Sequence, residues 1–245
     1  MRIAALQINT TIGDFKGNIR LLTDGYRKAV EQGAEIVVGP ELAICGYPPR
    51  DLLFYNDFLE ATSKAEAFLA KEIGKIPLIV GNVSKRNSGP GKSLWNSAVV
   101  IEEGKVSERV HKSLLPTYDV FDEDRYFQPS FESRPIKLRG VRVGITVCED
   151  IWNDPDFWPD RLYKYDPVQN LIEQGVDLLV NVSASPWHIG KERIREDMLC
   201  QLAKKVEVPI VQANAIGGND ELVFDGHSIA IDKNGKTQKI AQGFR

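Results

Sequence analysis

Three polar residues of this 245-residue chain stand directly after strand-like segments: Glu41 after Ile36-Val37-Val38-Gly39-Pro40, Lys112 after the alternating segment Lys105–His111, and Cys148 after Gly144-Ile145-Thr146-Val147. Such segments read as strands, and strand ends are where loops set side chains into a cleft on a rigid scaffold. A thiol, with an ordinary pKa of about 8.5, becomes a nucleophile when a nearby cation stabilises its thiolate or a carboxylate takes its proton. Lys112 offers the charge and Glu41 the base. Cleaving an amide also needs a proton for the departing ammonia and donors for the tetrahedral oxyanion, one well-placed donor contributing roughly 3 to 4 kcal/mol. The Lys112 ammonium and the backbone N–H after Cys148 suit that task.

The elements that must position these groups follow from periodicity. Residues 2–8 read as a short buried strand. Residues 18–32 carry Ile19, Leu22, Tyr26, Ala29 and Val30 at helical spacing before Gly33, and 35–38 form the next strand. The string Gln174-Gly175-Val176-Asp177-Leu178-Leu179-Val180 echoes Gln32-Gly33-Ala34-Glu35-Ile36-Val37-Val38, each after a helical stretch, a hint of internal pseudo-symmetry. After a strand at 78–83, the segments Leu94–Glu102 and Lys105–His111 flank Glu103-Gly104 and read as a hairpin. A second hairpin turns at Arg139-Gly140 and returns through Val141–Val147. A helix at 191–205, strands at 209–214 and 227–232, and a turn at 233–236 complete the pass. Hairpins interrupt any strict βαβ rhythm, so the expectation is an α/β fold of two mixed sheets with helices outside, in one domain spanning 1–245.

Composition narrows the partners. A formal charge of −3, with 42% apolar and 27% charged residues and no long run of like charge, gives no footprint for nucleic acid or anionic lipid. The partner expected is a small molecule. The start Met1-Arg2-Ile3-Ala4-Ala5-Leu6-Gln7-Ile8 has no signal-peptide pattern, and no apolar run approaches the roughly 20 residues that span a bilayer, so a cytoplasmic protein is expected. Cys45, Cys148 and Cys200 are widely spaced, with no C-x-x-C pairing or histidine at metal-ligand spacing, so neither a disulfide framework nor a metal site is expected. A lone cysteine is usually a small buried hydrophobe, which is the reading for Cys45 and Cys200. His111, His188 and His227 read as structural, and Trp152, Phe157 and Trp158 as a core or interface cluster.

Neither composition nor periodicity singles out the trio; the local strings do. Pro40-Glu41-Leu42, Lys112 after a strand, and Cys148-Glu149-Asp150 closing a strand resemble, in order, the Glu, Lys and Cys motifs of the nitrilase (carbon–nitrogen hydrolase) superfamily. Longer strings resemble one subgroup, the glutaminase domain of glutamine-dependent NAD synthetases. These are Pro40-Glu41-Leu42-Ala43-Ile44-Cys45-Gly46-Tyr47-Pro48-Pro49-Arg50-Asp51-Leu52-Leu53, then the stretch from Leu115 to Phe127, then Gly217-Gly218-Asn219-Asp220-Glu221-Leu222-Val223-Phe224-Asp225-Gly226.

The resemblance implies a four-layer α-β-β-α sandwich and a thioester mechanism. Glu41 would be the general base, Cys148 the attacker of the glutamine side-chain amide, and Lys112 the stabiliser of the intermediate. Glu123 would be a second carboxylate that orients Lys112 or assists proton transfer. Tyr118, Glu149, Trp152, Ser185 and Lys191 would hold substrate, with Glu149 the candidate for its α-ammonium and Lys191 for its α-carboxylate. Gly218 and Asp220 would belong to a loop near the mouth of the site. The superfamily's habit of pairing subunits implies a homo-oligomer. This domain would need no cofactor; ATP and Mg would serve only a C-terminal synthetase domain, whose Ser-Gly-Gly-x-Asp-Ser string is absent here, so the chain is expected to be the ammonia-making domain of a longer enzyme. Two alternatives stay open: a stand-alone amidase for another small ω-amide, and a catalytically silent assembly domain.

Overall fold

Segments that are apolar on every residue, such as Ile36-Val37-Val38, can be satisfied only where a sheet is covered on both faces. The computed structural model, which describes residues 1–245, arranges them so. In chain order the first half contributes β1 (Ile3–Ala5), α1 (Phe15–Glu31), β2 (Ile36–Val38), α2 (Asn56–Glu72), β3 (Leu78–Lys85), β4 (Leu94–Glu102) and β5 (Lys105–His111). Its strands form one sheet in the order β1-β2-β3-β4-β5, the first three parallel and the last two antiparallel. The second half contributes β6 (Ile136–Leu138), β7 (Val141–Val147), α3 (Pro167–Glu173), β8 (Leu178–Ser183), α4 (Lys191–Val206), β9 (Ile210–Asn214), β10 (Ile216–Asn219), β11 (Leu222–Asp225), β12 (Ile229–Ile231) and β13 (Thr237–Ile240). Its main sheet runs β13-β12-β9-β8-β7-β6, with β7, β8 and β9 parallel, while β10 and β11 form a separate hairpin.

Side chains alternate faces along each strand. Ile36, Val38, Ile79 and Val100 point inward against Val143, Ile145, Val147 and Val180 of the facing sheet. Val37, Val80 and Val99 point outward onto Leu22 and Tyr26 of α1 and Leu69 of α2. On the far side Leu179 and Ile210 meet Leu171 of α3 and Met198 and Leu202 of α4. The layers are therefore α-β-β-α, as expected. No helix is long and apolar enough to cross a membrane.

Both expected hairpins form. Their turn residues, Glu103-Gly104 and Arg139-Gly140, all have positive φ, the left-handed pair that matches the twist of the flanking strands. The echo between the halves is also structural. The Arg2 guanidinium donates to the Gln32 carbonyl and the Arg2 N–H to the Glu35 carboxylate; the Arg142 guanidinium donates to the Gln174 carbonyl and the Arg142 N–H to the Asp177 carboxylate. Gly33 and Gly175 turn between them with φ of 80° and 77°.

Five details differ from the sequence reading. The first strand stops at Ala5, where its pairing with β2 ends, and Gln7 instead bonds the Ser228 N–H and two carbonyls near the C-terminus. Helix α1 starts earlier because the Asp14 carboxylate caps it, accepting from the Gly17 N–H at 2.9 Å. Helix α2 and the β10–β11 hairpin were not anticipated. Strand β12 is shorter than 227–232 because His227 has a φ of 49° and Asp232 turns its carboxylate to the N–H groups of Asn234 and Lys236.

Candidate active site

Glu41 lies in the turn that leaves β2, where Leu42 adopts a φ of 46° and the chain presses onto Gly81 in the middle of β3. The Gly81 N–H donates to the Pro40 carbonyl at 2.9 Å. A Cβ on Gly81 would lie 2.1 Å from the Leu42 nitrogen and 2.4 Å from the Glu41 Cα, so only glycine admits this approach. Gly81→Ala must displace the Glu41 backbone, because no rotamer change relieves a clash with main chain. Turnover is expected to fall by about 100-fold, the effect of misplacing a reacting group by about an ångström. Steady-state hydrolysis and a thermal melt on one preparation check this; parent activity would show that Glu41 tolerates the shift.

Lys112 follows β5 and is buried, with its N–H donating to the Asn96 carbonyl. Its Nζ lies 2.8 Å from Glu41 Oε1 and 2.8 and 2.7 Å from the two Glu123 oxygens. Glu41 Oε1 also accepts from Asn96 Nδ2 at 2.7 Å and Oε2 from the Ala184 N–H at 3.0 Å. Tyr47 donates its hydroxyl to Glu123 at 3.0 Å. Cys148 directly follows β7 with a φ of 43°, a left-handed conformation that turns its side chain out of the strand path. Asp150 then ties this elbow to the Lys112 segment: one carboxylate oxygen accepts from the Ser113 and Leu114 N–H groups and the other from the Val147 N–H.

The electrostatics select one route of thiol activation. Burial pushes the Cys148 thiol well above its ordinary value, the Glu41 carboxylate adds to the rise, and Lys112 only partly opposes it. A rise in this direction favours the protonated thiol, so a nucleophilic role for Cys148 would call on a neighbouring base to take its proton. Burial would lower Lys112, but Glu123 and then Glu41 outweigh it and hold the ammonium charged. Burial, opposed first by Lys112, pushes Glu123 up to about 7. A carboxylate raised in the fold contributes stability fully below its unfolded value, near 4.5, and loses that contribution as pH climbs through about 7. Glu123→Gln should flatten the decline in unfolding free energy between pH 4.5 and 7, leaving the share from Asp150, which burial also raises to about 7. Urea titrations at both pH values test it; an unchanged slope would count against a raised Glu123.

Cys148 opens into a cavity of about 290 Å³ lined by Tyr118, Glu149, Trp152, Ser185 and Lys191. All five residues expected to hold substrate thus meet around the thiol. Glu149 accepts from the Tyr118 hydroxyl at 2.8 and 3.0 Å and from the Tyr163 hydroxyl at 3.2 Å. Its pKa is raised, burial prevailing over these bonds. Burial lowers Lys191, whose ammonium sits 5.4 Å from the centroid of the Trp152 ring. Gly218 and Asp220 do not line this cavity. They lie on the β10–β11 hairpin, where Asp220 faces Arg50 and Val223 binds the Trp187 N–H. Sequence reasoning missed Tyr163 and Arg161, both on the cavity wall in a loop that Asn153 closes through the Tyr163 and Tyr165 carbonyls. It also gave no role to Asn96, Tyr47 or Asp150, although the last two lie inside the strings that carry the resemblance.

The family profile for carbon–nitrogen hydrolases matches residues 2–244. A glutamine-dependent NAD(+) synthetase of Synechocystis sp. is 44% identical over 96% of this chain and 43% of its own length; one from Thermotoga maritima is 36% identical over 96% of this chain and 39% of its own. The solved structure of a glutamine-dependent NAD+ synthetase from Acinetobacter baumannii superposes with a TM-score of 0.89 at 32% identity, covering 99% of this chain and 43% of that one. An amidase from Nesterenkonia sp. shares the fold at a TM-score of 0.81 and 24% identity, over 100% of this chain and 87% of its own. The chain spans less than half the length of the synthetases it matches. The profile takes in both sheets together with the buried Glu41, Lys112 and Cys148, and the chain belongs to the carbon–nitrogen hydrolase family.

Proposed function

We propose that this chain hydrolyses the side-chain amide of L-glutamine and supplies the ammonia to an NAD synthetase domain, covalently linked or in trans. The observation that carries the reading is the charge pattern of the cavity: Glu149 and Lys191 both line it beside Cys148, a matched pair for the α-ammonium and α-carboxylate of an amino acid. The likeness to the NAD synthetases supports the choice of amino acid and of acceptor.

Glu41 takes the Cys148 proton as the sulfur attacks the amide carbon. The C–S bond forms, and the carbonyl electrons move to oxygen, where the Lys112 ammonium and the Glu149 backbone N–H receive the charge. Collapse of this intermediate breaks the C–N bond, and the proton on Glu41 passes to the leaving nitrogen, giving ammonia and a thioester. Water then gives a proton to Glu41 and attacks the thioester, releasing glutamate and regenerating the thiol. Glu123 keeps Lys112 aimed at the oxyanion. The cycle calls on no metal or cofactor in this domain; ATP and Mg belong to the acceptor's reaction. A cytoplasmic setting suits three unpaired cysteines, and a homo-oligomer follows the superfamily's habit.

A glutamine-mimicking diazo-ketone, followed by mass spectrometry, tests the reading. An adduct on Cys148 together with ammonia release from glutamine is the expected result. No adduct, or one elsewhere, would overturn it, and faster turnover of another ω-amide would replace it with the stand-alone amidase.

A further inference from the structure

Behind the substrate wall lies a buried polar chain that the reaction itself does not use. Arg195 on α4 and Asp225 at the end of β11 are buried and joined at 2.6 Å. His227 Nδ1 also lies 2.7 Å from the same Asp225 oxygen. The other Asp225 oxygen accepts from Asn214 Nδ2 at 3.3 Å, and the Gly226 carbonyl accepts from that amide nitrogen at 2.8 Å. Asn214 Oδ1 in turn accepts the Ser185 N–H at 2.9 Å.

We infer that Asn214, oriented by the Arg195–Asp225 ion pair, is a positioning residue that fixes Ser185 in the cavity wall. A buried ion pair seldom adds net stability over a well-packed apolar pair, so its use here lies in orientation. An asparagine amide can turn over and exchange its oxygen and nitrogen. Turned over, its nitrogen would face the Ser185 N–H, and its oxygen would face the Asp225 carboxylate and the Gly226 carbonyl, a mismatch at both ends. The charge on Asp225 thus selects the one orientation that presents an acceptor to Ser185. The preceding N–H, that of Ala184, is held separately, by the Glu41 carboxylate. Two consecutive amides after β8 are held by side chains instead of by a neighbouring strand. Arg195 sits one helical turn beyond Lys191, so α4 turns one cation to the cavity and the other to this chain.

This assignment rests on the proposed substrate reading, and the test separates the two. Asn214→Ala is expected to raise KM for L-glutamine by about tenfold or more, the effect of losing a buried hydrogen bond, with kcat and iodoacetamide alkylation of Cys148 within about threefold of the parent. Hydrogen–deuterium exchange at residues 184–185 should accelerate by about tenfold, a readout that needs no substrate. Should the alanine variant fail to fold, Asn214→Ser, whose shorter side chain withdraws the acceptor from the Ser185 N–H while keeping a polar group in the cluster, carries the same measurements and the same expectations. Parent-like exchange at 184–185, or a fall in kcat with KM unchanged, would overturn the inference. A parent that ignores glutamine, alongside accelerated exchange in the variant, would sink the substrate reading and leave the positioning role standing.

Discussion

Lys112→Met is expected to yield a protein that neither turns over amides nor keeps its parent stability. The Lys112 ammonium is the common partner of Glu41 and Glu123, all three being buried. Replacing it with an apolar chain of similar length leaves two carboxylates facing one gap, with Asn96 and Tyr47 as their remaining side-chain donors there. Breaking a buried pair in this way typically costs about 3 to 5 kcal/mol, since the surviving charge has no compensation. The variant also lacks the cation that holds the Glu41 carboxylate in place. Losing an oxyanion donor alone removes about 100- to 1,000-fold in rate, so turnover should fall further than that. Urea unfolding at pH 5 and pH 8 checks the electrostatic cause, because the deficit should shrink at the lower pH, where Glu123, raised to about 7, is neutralised. A deficit independent of pH, or stability within about 1 kcal/mol of the parent, would show that Lys112 is not the counter-charge the geometry describes.

The second large effect has the opposite profile. Cys148→Ala should abolish hydrolysis while leaving the melting temperature close to the parent's. In the proposed cycle sulfur is the atom that forms the covalent intermediate, and neither Glu41 nor Lys112 can replace it. The left-handed backbone at Cys148 is held by Asp150 and by Asn181, whose side-chain amide donates to the Cys148 carbonyl, and alanine inherits the same conformation at the same cost. The variant should still bind the proposed substrate, L-glutamine, by calorimetry and release no ammonia. Residual activity near the parent level would refute the assignment of the nucleophile, and a collapsed melting curve would refute the claim that the elbow is held by its neighbours.

What could be read from sequence was what local pattern encodes. The apolar runs gave the central strands, and the Glu103-Gly104 and Arg139-Gly140 pairs marked their turns because few residues accept positive φ at two adjacent positions. Helix α2 went unread because its buried face is built largely from alanine, threonine and a glutamate, with Leu59 and Leu69 spaced ten residues apart. The β10–β11 hairpin escaped because its glycines suggest a loop, and the pairing that makes it a strand lies across its own turn. At the site, the trio and the five cavity residues were legible through short strings. Asn96 and Asp150 were not, because their partners lie 55 and 37 residues away, a separation that no window of sequence reveals. Tyr163 lies in a stretch without periodicity and reaches Glu149 only after Asn153 has closed the loop.

Glu41 and Lys112 hang from one sheet and Cys148 from the other, with Ile36, Val38, Ile79, Val143, Val147 and Val180 filling the space between. Facing sheets stand about 10 Å apart, and that thickness is set by the side chains in the gap. The inner core therefore works as a shim: its volume sets the spacing of the elements that carry Cys148 and Glu41, and with it, in the proposed cycle, the path of the proton between them. A methyl group removed from Val180 thins the shim without touching any reacting atom, and hydrostatic pressure does so without changing the sequence at all. On the proposed cycle the filler is part of the rate constant.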